Sequence, residues 1–123
     1  MVEISELTIK QEIHNILIQA NKMGKRVTRE QIRGLILSRY GIDIPDRLFR
    51  VLYVDMIYSG YPVGSSATNG YFIIDSQDKF DEAVNDMRAK IFSMFKRIKQ
   101  LQLNVENKLG SKIQLELELK GNE

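Results

Sequence analysis

Along residues 6–23 the apolar positions Ile9, Ile13, Ile16, Leu17 and Ala20 recur at helical spacing, which gathers them on one face of a first helix. Ser5 or Thr8 is available as its N-cap, and Gly24 stands just beyond its end. Thr28 with Gln31 then reads as a capping box, and Val27 with Ile32 fills the two staple positions, so a second helix is predicted to run to about Tyr40 and stop at Gly41. Pro45 suits a first helical turn, residues 46–59 are all helix-compatible, and Gly60 supplies a stop. This third helix, with Leu48, Phe49, Val51, Leu52, Val54, Met56 and Ile57, is apolar on more than one face. A one-sided surface helix does not need that, so something is expected to cover part of it.

After the third helix the polarity pattern changes. Residues 61–66 and 70–75 read as two short strands around Ala67, Thr68, Asn69 and Gly70, because an Asn-Gly pair supplies a positive φ cheaply. Ser76 can cap a fourth helix, with Asp78, Asp81 and Glu82 in its first turns and Lys96, Arg97 and Lys99 later, the order the helix dipole favours. Phe80, Val84, Met87, Ile91, Met94, Ile98, Leu101 and Val105 are separated alternately by four and three residues, an unbroken heptad seam. With Phe80 at d, every a position is β-branched, a set that favours a parallel dimer. The competing reading is that the stripe packs on its own domain, since Phe92 and Phe95 widen the apolar face. A helix over residues 77–108 extends on the order of 45 Å, longer than a domain of this size is wide, which favours a seam that meets another chain. Past Gly110, residues 113–119 alternate apolar and polar, as a half-buried strand does, with a frayed tail as the alternative.

Three helices, a hairpin and a long final helix define the expected fold class: mainly α (α+β), a winged helix-turn-helix followed by a coiled-coil helix. The expected divisions are 1–76 for the winged domain, 77–109 for the dimerisation helix, and 110–123 for a strand or tail. Gly60-Tyr61-Pro62-Val63 followed by Gly70-Tyr71-Phe72-Ile73 resembles the wing of bacterial and phage winged helix-turn-helix DNA-binding proteins, over about residues 6–80. Arg50, ten residues before the Gly-Tyr-Pro, lies where such proteins often carry an arginine on the recognition helix. The chain departs from that pattern at Val51, Val54 and Ile57, where polar groups are usual. The resemblance implies a regulator or replication protein of a phage or mobile element.

Composition changes this picture mainly by exclusion. The 123 residues and 43% hydrophobic content suffice for one core and leave no room for a second catalytic domain. Without cysteine there is no disulfide, thiolate or Cys-based zinc chemistry. An acidic start and the lack of a long apolar run predict a cytoplasmic protein that does not enter membranes. The net charge of +2 is unevenly placed. Residues 22–50 carry Lys22, Lys25, Arg26, Arg29, Arg33, Arg39, Arg47 and Arg50 against Glu30, Asp43 and Asp46, a local charge of +5. Such a segment is either a solvated helix face or the footprint of an anionic partner.

The chain offers little for catalysis. His14 is the only histidine, no dinucleotide fingerprint or P-loop is present, and the acidic cluster at residues 78–86 is explained by helix capping. No enzyme activity, cofactor or metal is expected. The leading expectation is a dimeric, sequence-specific binder of double-stranded DNA. Thr28 and Arg29 would serve the phosphates, Arg47 and Arg50 base edges or nearby phosphates, and Ser65, Ser66, Thr68 and Asn69 the wing, with Arg33 also in the DNA-binding set. Dimerisation would run through Val84, Met87, Ile91, Met94, Ile98, Leu101 and Val105. The alternative is a protein-interaction adaptor on the same scaffold, binding its partner through the third helix or residues 113–119.

Overall fold

The computed structural model describes residues 6–114. The helices form where the apolar spacing and caps place them: α1 (Glu6–Lys22), α2 (Arg29–Tyr40) and α3 (Asp46–Tyr58). Strands β1 (Val63–Ser66) and β2 (Gly70–Ile73) and the helix α4 (Gln77–Leu109) follow. Among the described residues the architecture is mainly helical with one antiparallel hairpin, an order compatible with a winged-helix layout. The capping box of α2 is complete: the Gln31 amide N–H donates to Thr28 Oγ1 at 3.1 Å and the Thr28 N–H donates to Gln31 Oε1 at 2.9 Å. Gly41, with φ 68°, ends that helix in the left-handed conformation.

The core joins one face of each of the first three helices. Ile9, Ile13, Ile16 and Leu17 of α1 meet Ile32 and Ile36 of α2 and Phe49, Leu52 and Met56 of α3, with Ile44, Val63 and Ile73 closing the cluster. Burying an aliphatic or aromatic side chain of this kind contributes about 1.5–3 kcal/mol each, which offsets the entropy of ordering the short helices.

The hairpin alternates its faces as the pleat requires. The register pairs Val63 with Ile73 and Ser65 with Tyr71 on one side, where Tyr71 packs edge-on against Phe49 and Tyr53. Gly64, Ser66 and Phe72 point the other way, towards Ala83 and Glu82 at the start of α4. A third segment joins this small sheet: Val27 exchanges two backbone hydrogen bonds with Tyr71, at 3.2 and 2.7 Å. Val27 thus ties the entry of α2 to β2, beyond the staple role its spacing predicts. Gly70 sits where this crossing is tightest; its φ is 76° and a Cβ there would fall 2.6 Å from the Val27 carbonyl oxygen. Only glycine meets both conditions without strain.

The described residues divide into two compact units, the first ending at Asp86 and the second beginning at Met87. The start of α4 belongs to the first unit because Ala83 is buried against the hairpin, Lys79 donates to Asn21, Glu82 accepts from Asn69 and Asp86 accepts from the Ala67 N–H. In the second unit α4 continues to Leu109 and is closed by Gly110, whose φ is 70° and whose N–H donates to the Glu106 carbonyl at 2.8 Å. The chain then doubles back: the Ile113 N–H donates to Glu106 Oε2 at 3.0 Å, and Gln102 Nε2 donates to the Ile113 carbonyl at 3.3 Å. Ile113 and Gln114 are in no strand. The rest of the strand expected over 113–119, like Ser5 as a cap, lies outside the described residues.

Candidate nucleic-acid interface

Because α3 buries Phe49, Leu52 and Met56, its opposite arc is fixed by the helical repeat. That arc carries Arg47, Arg50, Val51, Val54, Ile57 and Tyr58, all exposed. Among the described residues, the cover expected over part of the apolar helix exists only on the core side. Val51 is 51% exposed and Val54 is 47% exposed.

Near the start of α3 one carboxylate organises three arginines. Asp46 Oδ1 lies 2.9 Å from Arg29 Nε, an ion pair without the alignment of a hydrogen bond, and 3.9 Å from Arg33 Nη1. Asp46 Oδ2 lies 3.2 Å from Arg50 Nε, one helical turn on. Arg33 also donates from Nε to the Ile44 carbonyl and lies 3.9 Å from Asp43. These contacts tie Arg29 and Arg33 into the fold. Arg50 is different, for its side chain remains 66% exposed. Arg47 is exposed and, among the described residues, has no carboxylate within ion-pair distance.

The hairpin is held by a second carboxylate. Glu82 Oε2 accepts hydrogen bonds from Arg26 Nη1, from Ser66 Oγ at 2.9 Å and from Asn69 Nδ2 at 2.9 Å. Arg26, followed by Asn69 and Ser66, holds the Glu82 carboxyl at a pKa of about 2, against an ordinary 4.5. The Arg26 guanidinium also lies over the Phe72 ring, 4.0 Å from its centroid. The Asn69 N–H donates to Ser66 Oγ at 3.1 Å, and the Ala67 N–H donates to Asp86 Oδ1 at 3.2 Å. Of the four wing residues singled out by sequence, Ser66 and Asn69 therefore shape the turn, Ser65 is half-buried beside Tyr53, and Thr68 is exposed at the tip. Thr28 is occupied as the cap of α2.

Neither organising carboxylate stands out as such in the sequence. Asp46 had a legible signal, the i,i+4 spacing to Arg50. The Arg26–Glu82 pair spans 56 positions and had none.

Along α4 the dimerisation candidates differ in exposure. Val84, Ile98 and Val105 are half-buried, while Met87, Ile91, Met94 and Leu101 are exposed. Phe92, off the seam, is exposed with Lys96 Nζ 5.7 Å from its ring centroid. His14 packs edge-on against Tyr61, at 4.9 Å between centroids. Among the described residues, no group of three or more His, Cys, Asp or Glu is placed to hold a metal ion, and no helix is long and apolar enough to cross a membrane. No family model, curated protein or solved structure matches the chain.

Proposed function

We propose that the chain is a non-enzymatic, dimeric, sequence-specific binder of double-stranded DNA, with α3 as the recognition helix of a winged helix-turn-helix and the β1–β2 hairpin as its wing. The observation that carries this reading is the outward arc of α3, where exposed Arg47 and Arg50 stand within the segment of charge +5. Arginine at the first turns of an exposed helix suits both phosphate and guanine edges. The exposed seam residues Met87, Ile91, Met94 and Leu101 of α4 support pairing with a second copy, which would present two copies of α3 to two half-sites. On this reading the protein is a regulator or a replication protein, acting through binding alone.

The adaptor reading is favoured by one specific observation, the exposure of Val51, Val54, Ile57 and Tyr58 on that same arc. Fluorescence anisotropy with a random-sequence duplex, titrated in salt, separates the two. DNA binding is expected to weaken with salt, and Arg47→Ala/Arg50→Ala is expected to lower affinity and flatten the log–log salt slope by about 1–2, at unchanged helical content. A wild-type protein with no salt-dependent affinity for duplex DNA refutes the proposal and leaves the adaptor.

A further inference from the structure

We infer that the α3 arc selects thymine: Val51 and Val54 are placed to meet the C5-methyl groups that line the major groove of T-containing DNA. This inference rests on the DNA-binding reading above and names the bases that its recognition helix prefers.

Val51 and Val54 add nothing to the core, since α3 is already buried through Phe49, Leu52 and Met56 on the opposite side. They stand with about half their surface in water, beside Arg47 and Arg50 on one arc. The charge of that arc suits a polyanion, because Asp46 is already engaged by Arg29, Arg33 and Arg50, and Asp55, one turn after Val51, lies 3.9 Å from Lys10 Nζ. The remaining question is what a valine can read. Guanine and adenine present acceptors or donors in the major groove, and cytosine presents an amine. A valine against any of these strips water from a polar edge and returns no hydrogen bond. Thymine alone presents a methyl group, the one base-edge feature that an aliphatic side chain satisfies.

The spacing fits as well. Residues three apart on a helix share one face, so the two valines meet the groove together. The same chemistry discriminates against RNA. Uracil lacks the methyl group, and the A-form major groove is too deep and narrow for side chains to read.

The test uses the full chain and four 30-base-pair probes: alternating A·T, alternating A·U, alternating G·C, and alternating G·C with 5-methylcytosine. Each methylated probe differs from its counterpart only in the pyrimidine C5-methyl groups and carries the same phosphates. Wild type is expected to bind the A·T duplex about fifteenfold more tightly than the A·U duplex, the effect of burying about two methyl groups. Methylation of cytosine is expected to improve binding to the G·C probe. Val51→Ala/Val54→Ala is expected to bind the A·T and A·U probes equally. Alanine is a good helix former and both sites are exposed, so this variant keeps the fold, which circular dichroism checks. Equal affinity of wild type for the A·T and A·U probes overturns the inference while leaving DNA binding intact. A preference for A·T that persists in the double alanine variant overturns it too, since other residues would then do the reading. Failure to bind any of the four probes overturns the DNA-binding reading itself, and the valine arc then belongs to a protein partner.

Discussion

Replacing Glu82 with glutamine tests whether one carboxylate holds the hairpin to α4. All three of its hydrogen bonds converge on Oε2, so a neutral amide oxygen can occupy the same place while the charge is lost. The fall of its pKa from 4.5 to about 2 sets a ceiling of roughly 3 kcal/mol on the stabilisation. The Glu82 side chain keeps 28% of its surface exposed, and solvent screening reduces the expected loss in Glu82→Gln to about 1–2 kcal/mol at pH 7. The folded pKa lies below the unfolded one, so this contribution is complete above about pH 5 and is lost as the pH falls from 4.5 towards 2. Urea unfolding followed by circular dichroism, repeated from pH 7 to 2.5, should show the gap between wild type and variant closing over that window. Asp75 is also lowered, by Lys79 and Asn21, but it is present in both proteins and cancels in the difference. A gap that is absent at pH 7, or that stays constant down to pH 2.5, refutes the reasoning. A double-mutant cycle with Arg26→Met then isolates the pairwise coupling.

Gly70→Ala is expected to cost more than about 2 kcal/mol, because it combines positive-φ strain with a clash against the Val27 carbonyl. Gly24→Ala, at φ 67° with open space around it, isolates the strain alone and is expected to cost only about 1 kcal/mol; equal losses in thermal unfolding would remove the close approach from the account. Ile91→Lys/Ile98→Lys, at adjacent a positions of the α4 seam, is expected to turn a dimer into monomers in sedimentation velocity, whereas a wild type already monomeric at micromolar concentration refutes the seam. The same double change should weaken binding to a two-site DNA far more than to a single site, since the tethered second contact is lost.

What the sequence made legible was local. The capping box of Thr28 and Gln31, the Gly41 stop and the Asn-Gly turn each depend on residues within four positions, and each is present in the structure. The apolar faces of α1 and α3 follow from spacing alone, and both face the core. The interactions that set the hairpin were not legible, because they join distant positions: Val27 with Tyr71, and Arg26, Ser66 and Asn69 with Glu82. For the same reason the burial of Ala83, which lies beside Gly64 and off the heptad seam, was not legible in the period of α4, whose seam residue Phe80 is exposed in the single chain. The candidate site was legible as a list of arginines. Their separation into those held by the fold and those left open needed the positions of Asp46 and Ile44.

That separation divides the labour of the charges within the first unit. On the hairpin side, Arg26 and Lys79 are matched by Glu82 and Asp75, so the basic groups there serve the fold. At the start of α3, three arginines share Asp46, and Arg47 stands beside them with no carboxylate in reach among the described residues. An exposed pair such as Arg50–Asp46 is worth only about 0–1 kcal/mol, so Arg50 can exchange Asp46 for a phosphate at little cost to stability. Arg33 cannot do so as easily, because its Nε also satisfies the Ile44 carbonyl that closes the turn into α3. Two classes of substitution follow from this physics. Changes at Glu82 act on unfolding and its pH dependence, whereas changes at Arg47 and Arg50 act on affinity for a polyanion and its salt dependence. If Arg47→Ala/Arg50→Ala moved the unfolding midpoint as far as Glu82→Gln does, the α3 arginines would be part of the scaffold, and the outward arc would have to bind through its valines alone.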